Sequence, residues 1–171
     1  AYVMMAFRIA WFKVHRPLEF YSAYFYRRSQ KDAFDAGMML KGRDFVRRKI
    51  NEIHAKSDAT AKEEDLVTTL EAVYEFYMRG FEFAPMDLYE CDATRFLVVD
   101  DKRLRPPFVA ISGLGAAAAN DLMSCREGGR RFISVEELSL ACPKVSQAHI
   151  EQLRATGALG DMPEESQMTL F

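Results

Sequence analysis

The amino-acid sequence predicts a mainly α fold with a small β element near residues 81–105, and three observations carry that expectation. Apolar residues recur at helical spacing from Tyr2 to Tyr77. The period then shortens to two at Phe81-Glu82-Phe83 and in the β-rich run Arg95–Val99. Helix-start residues and glycine stops return after Pro106-Pro107. Of the 171 residues, 49% are hydrophobic and 28% charged, a balance that supports a sizeable buried core.

The elements follow in order. Tyr2, Met5, Ile9 and Phe12, with Ala6 and Ala10 beside them, form one apolar stripe over Ala1–Val14. This stripe reads as the interior of a buried helix, so the chain is expected to begin upstream of Ala1. Arg8 and Lys13 interrupt it and no small-residue cleavage pattern follows, which argues against a signal peptide. Pro17 restarts the helix, and Phe20, Tyr21, Tyr24 and Phe25 give Leu18–Arg28 an aromatic density that predicts burial. Gly37 and Gly42 mark loose connections around Met38–Leu40. Val46, Ile50 and Ile53 share one face of a helix over Arg43–Lys56. Thr60 and Glu63 have the spacing of a capping box, opening a helix that buries Leu66, Leu70, Val73 and Tyr77 and stops at Gly80. Asp100-Asp101 reads as a turn before Leu104. Two or three helices are expected beyond the prolines, roughly Ala116–Glu127, ended by Gly128-Gly129, Ser134–Ala141, and Ser146–Thr156, ended by Gly157.

Charge and cysteines bound the function. Residues 1–56 carry 12 Lys and Arg against 5 Asp and Glu, and residues 101–133 carry 6 against 3. The net charge of −2 therefore hides two basic zones suited to nucleic acid. No apolar run reaches the roughly 18 residues of a membrane span. Cys91, Cys125 and Cys142 are odd in number and far apart, which fits free thiols in a reducing cytoplasm. No two cysteines have knuckle spacing and the three histidines are scattered, so no metal site is expected. Catalytic constellations are also missing. Asp100-Asp101 is the one adjacent acidic pair beside a strand, and a turn selects Asp for backbone reasons. There is no Gly-rich loop with a lysine for nucleotide phosphates.

The sharpest internal motif is Ile111-Ser112-Gly113-Leu114-Gly115, followed by an alanine-rich helix. Two glycines flanking one apolar residue allow a tight hairpin, and the following helix starts with free N–H groups that suit a phosphate oxygen but read no base. The motif resembles the helix-hairpin-helix of sequence-independent DNA binders. The expected DNA contacts are Ser112, Gly113, Leu114 and Gly115, joined by Lys102, Arg103, Arg105, Arg126, Arg130 and Arg131. Cys142-Pro143-Lys144-Val145 reads as a degenerate, glycine-free partner hairpin, with Ser146 capping the next helix.

The second motif is the end of the chain. Gln167-Met168-Thr169-Leu170-Phe171 follows a polar Pro-Glu-Glu-Ser stretch, and a terminal Leu-Phe on a flexible tail calls for a partner to bury it. It resembles the bacterial sliding-clamp-binding peptide, with Gln167, Met168, Leu170 and Phe171 as the binding residues and Met168 where Leu is usual. Other stretches resemble the C-family replicative polymerases: Tyr2, Ala6, Arg8, Ala10-Trp11, Lys13, Pro17, Phe20-Tyr21 and Ala23. Tyr24-Phe25 through Arg28, Phe34-Asp35, Asp87-Leu88-Tyr89, Asp92-Ala93-Thr94, Phe96 and Gly157–Asp161 are similar to the PolC branch.

That resemblance implies the carboxy-terminal region of a bacterial DNA polymerase III of PolC type, acting with Mg²⁺. Its catalytic aspartates would lie upstream of Ala1, so this chain alone would be inactive and would bind no cofactor. The partners implied are duplex primer-template, the sliding clamp and the upstream polymerase domains. The expected organisation is a helical region over 1–80 ending the fingers, a duplex-binding domain over 81–160, and a flexible clamp-binding tail over 161–171. The alternative is a free-standing, non-enzymatic helix-hairpin-helix accessory protein with the same tail.

Overall fold

Eight helices and a three-stranded sheet make up the computed structural model, which describes residues 1–165. Helices α1 (Tyr2–His15) and α2 (Pro17–Ser29) meet at Arg16, whose backbone leaves the helical region just before Pro17. Leu18, Tyr21, Phe25 and Ser29 recur every three or four residues and form the buried face of α2. The short α3 (Ala36–Met39) stands where the two glycines suggested loose chain, and its Met39 is fully buried. Helices α4 (Arg43–His54) and α5 (Ala61–Met78) pack as an antiparallel pair.

The capping box is present as the spacing predicts. Glu63 N–H donates to Thr60 Oγ1 at 3.2 Å, and Thr60 N–H donates to Glu63 Oε2 at 2.9 Å. The buried face of α5 is centred on Val67, Leu70, Val73 and Phe76. Leu66 and Tyr77, expected in the core, are only partly buried; Tyr77 keeps its hydroxyl at the rim, donating to Met39 O at 2.8 Å.

Strand β3 (Arg103–Arg105) is the centre of the sheet, parallel to β1 (Glu82–Phe83) and antiparallel to β2 (Leu97–Val98). Its value lies in the rings it brings together. Phe83 stacks on Phe76 at 4.8 Å between centroids, and Phe96 meets Phe34 at 5.0 Å and Phe25 at 5.8 Å. One hydrophobic core therefore runs from Leu18 to Leu159, across residue 80 without a break in packing. Helices α6 (Ala116–Cys125), α7 (Val135–Ala141) and α8 (Gln147–Ala155) complete the chain. Pro163 and Glu164 carbonyls accept from the N–H groups of Val135 and Glu136, holding the chain against the start of α7.

Helix α1 departs from expectation. None of its residues is buried, and Tyr2, Val3 and Phe7 are 88%, 81% and 67% exposed. Only its last turns are tied down: Lys13 pairs with Glu75 at 2.7 Å, and Arg79 donates to Lys13 O at 3.0 Å. The stripe is apolar as read, but the described residues offer no surface that covers it. Among the described residues no helix is long and apolar enough to cross a membrane.

Candidate nucleic-acid interface

The site is built from the prolines onward. Pro106 and Pro107 end β3 and launch a 3₁₀ turn, Phe108–Ala110, whose Phe108 is wholly buried. The chain then reverses: Leu114 N–H donates to Ile111 O at 3.0 Å. Gly113 occupies the third position of this reverse turn with φ +77°, a conformation other L residues adopt only at a cost. Ile111 and Leu114, 2% and 3% exposed, plug the hairpin into the core and leave Ser112, Gly113 and Gly115 outside.

Gly115 is there for a different reason. Its φ is −72°, so the backbone does not require glycine, and a Cβ added to it would meet nothing within 4 Å. It is the N-cap of α6 and has no side chain with which to cap. The first helical bond is Ala119 N–H to Gly115 O at 3.0 Å, so the amides of Gly115 to Ala118 precede the ladder. Among the described residues no side chain accepts from the start of α6. The result is a flat, open helix start with outward donors and the positive end of the dipole.

The second hairpin repeats this geometry with different chemistry. Val145 N–H donates to Cys142 O at 3.0 Å, and buried Val145 takes the part of Leu114. Ser146 then stands where Gly115 stands, and it closes a capping box: His149 N–H donates to Ser146 Oγ, and Ser146 N–H donates to His149 Nδ1, both at 3.3 Å. The start of α8 is thus satisfied internally, whereas that of α6 is not. With Nδ1 accepting, the imidazole carries its proton on Nε2 and donates to Gly113 O at 3.2 Å. His149 therefore latches one hairpin to the other, a link that sequence spacing did not suggest.

The basic residues expected around the hairpin are dispersed. Arg126, Arg130 and Arg131 lie beyond the far end of α6, about 15 Å along the helix from Gly115. Arg126 is structural: its guanidinium donates to the carbonyls of Leu88 and Cys91 and lies over the Phe108 ring at 5.7 Å. Arg130 pairs with Glu137 at 3.0 Å, and Arg131 lies over the Tyr89 ring at 4.2 Å. Arg103 is held by Asp100 at 2.7 Å, Arg105 pairs with Glu90, and Lys102 is exposed in the turn before β3.

Different residues border the hairpin. An open groove of about 280 Å³ beside Gly113–Ala116 is lined by Ser29, Gln30 and Asp32 from the end of α2. A second groove, at Ser112, is lined by Lys31 and Lys62 among others. The basic balance of residues 1–56 was the one sequence signal for Lys31, and nothing in the sequence pointed to Lys62.

Acidic and thiol groups were also brought together. Asp100 accepts from the N–H groups of Lys102 and Arg103, both at 2.9 Å, as a turn residue does. Asp121, Cys125 and Cys142 place one ligand atom each within 4.8 Å of one another, a metal-capable group assembled from separate segments rather than from knuckle spacing. Two of the three already have protein partners: Asp121 accepts from Lys144 N–H at 3.3 Å, and Cys125 donates to Ala141 O at 2.9 Å. Burial, then the neighbouring Cys125, pushes the Cys142 thiol far up, and burial pushes Cys91 up to about 11. The Cys142 and Cys91 thiols are therefore kept protonated.

Comparison with known proteins agrees with this geometry. Residues 80–168 match the family model described as a helix-hairpin-helix motif. The whole chain is similar to part of proteins named DNA polymerase III PolC-type, 43% identical in Thermotoga maritima, 46% in Bacillus cereus and 45% in Streptococcus pneumoniae. Each alignment covers 100% of this chain and 12% of the relative, so the chain spans about an eighth of the length of these relatives. The chain belongs to the helix-hairpin-helix family and, over its full length, is similar to a segment of PolC-type DNA polymerase III.

Proposed function

We propose that this chain is the part of a replicative DNA polymerase that holds duplex DNA without sequence preference and ties the enzyme to its sliding clamp. The observation that supports it best is the contrast between the hairpins: α6 starts uncapped behind Gly115, while α8 is capped by Ser146 and His149. An uncapped start aimed at solvent suits a phosphate oxygen and carries no base information. On this reading Ser112, Gly113 and Gly115 supply backbone contacts and Leu114 holds the hairpin in place. Lys102 and Arg131 contribute charge at more distant phosphates. Cytoplasmic residence belongs to the same reading.

Template-directed synthesis with Mg²⁺ would belong to other parts of the longer polypeptide. Asp100 is engaged by its own turn and Asp121 by Lys144, so neither offers a free carboxylate for a metal pair. No step of the chemistry is assigned to this chain. The uncovered apolar face of α1 would seat the upstream polymerase domains.

The clamp contact rests on sequence, since Gln167, Met168, Leu170 and Phe171 lie outside the described residues. Burying Leu170 and Phe171 would contribute roughly 3–6 kcal/mol before ordering costs, which leaves a dissociation constant on the order of micromolar. Joined to the hairpin by a short tether, two weak contacts raise avidity by about 10²–10⁴. Calorimetry with a bacterial sliding clamp tests this reading against a form lacking residues 167–171. The truncated form is expected to lose clamp binding; unchanged affinity would place the contact elsewhere.

A further inference from the structure

We infer that the DNA contact continues past the hairpin onto the helical region, with Lys31, just after α2, and Lys62, in the first turn of α5, taking the phosphates beside Ser112. This rests on the duplex-binding reading above and names residues from the other half of the chain. Both lysines are exposed, and both line the groove that Ser112 closes.

The charges facing that groove decide the matter. Three aspartates line it: Asp32, Asp35 and Asp65. Asp65 is paired with Arg28 at 2.9 Å and Asp32 with Lys62 Nζ at 3.1 Å. Asp35 is half-buried, and that burial raises its carboxyl above the usual range against the backbone N–H groups of Gly37 and Met38. Among the described residues no carboxylate pairs with Lys31, so its exposed ammonium is not held by an ion pair at the rim beside the hairpin.

The local structure shows how these groups are held. Asp32 has φ +53° just past the end of α2, where glycine or asparagine is the usual residue. Its N–H donates to Ser29 O at 3.1 Å, and Ala33 N–H donates to Arg28 O at 3.0 Å, so the turn is over-determined. The aspartate carboxylate fixes Lys62 beside the groove across 30 residues. Lys62 sits in a helix's first turn, where the dipole disfavours a cation. An ammonium with three donors can keep Asp32 and still reach a phosphate oxygen.

The test is fluorescence anisotropy of the full 171-residue chain with a mixed-sequence duplex at several salt concentrations. Lys31→Ala and Lys62→Ala are each expected to weaken binding several-fold and to reduce the slope of log K against log salt by about 0.9, one phosphate's worth of released counterions. Circular dichroism checks that each variant is folded. An unchanged slope in Lys31→Ala, while Gly115→Asp still weakens binding, overturns the inference and leaves the hairpin as the contact. If Gly115→Asp has no effect either, both this inference and the hairpin reading fail.

Discussion

Replacing Gly115 with serine separates stability from function. In the second hairpin a serine occupies the same place and accepts the His149 N–H at 3.3 Å. The backbone at Gly115, φ −72° and ψ 164°, suits an N-cap serine, and a Cβ there meets nothing within 4 Å. Serine gains a few tenths of a kcal/mol over glycine as a cap, and losing glycine's freedom in the unfolded chain adds about 0.4–1 kcal/mol. Gly115→Ser is therefore expected to raise the melting temperature by about 1–4 °C. Its hydroxyl oxygen, however, takes the amide that a phosphate would use. One charge-assisted hydrogen bond is worth roughly 1.5–3 kcal/mol, so duplex affinity should fall about tenfold or more. Thermal melts and anisotropy at low salt measure the two effects on one sample. A variant that is more stable and binds duplex as the wild type does would show that the start of α6 does not hold phosphate. A variant that loses stability would show that the space around Gly115 is not open.

Three other perturbations follow from the same structure. Gly113→Ala imposes a side chain on φ +77°, with the new Cβ 3.9 Å from His149 Nε2; with no clash to add, the expected cost is about 1–2 kcal/mol, read by urea denaturation. Arg126→Ala leaves the Leu88 and Cys91 carbonyls without their donor and should destabilise by about 1–3 kcal/mol while leaving the salt slope of DNA binding unchanged; a shallower slope would put Arg126 on the DNA. The Lys56 ammonium, then the Thr60 amide and hydroxyl, hold Glu63 down to about 2 from an ordinary 4.5. Its contribution is present above pH 4.5 and lost as the pH falls toward 2, so melting temperature should drop from pH 6 to pH 3 more in the wild type than in Glu63→Gln.

How much was legible depends on whether the signal was local. The Thr60–Glu63 capping box and the Ile111–Gly115 turn are set by residues within a few positions, and both stand where the spacing puts them. Periodicity reported that α1 has an apolar stripe but could not report what covers it, and the stripe is exposed in this chain. Proximity in sequence misplaced Arg126, because a ten-residue helix carries it away from the hairpin it follows. The neighbours of the hairpin come instead from about 50 to 80 positions upstream, through a core shared by Phe25, Phe34, Phe83 and Phe96. The grouping of Asp121, Cys125 and Cys142 is non-local in the same way, beyond any rule based on short spacing. Short α3 was hidden because Gly37 within it and Gly42 just after it are poor helix formers.

The central claim is that this chain grips the phosphate backbone through the Gly115 face. The most direct measurement is a titration of two equal-length duplexes of unrelated sequence, from about 50 to 200 mM salt, with the wild type and Gly115→Asp. The account predicts equal affinity for the two duplexes, a linear fall of log K with log salt, and markedly weaker binding by the folded variant. A preference for one duplex, or binding indifferent both to salt and to Gly115→Asp, would contradict it.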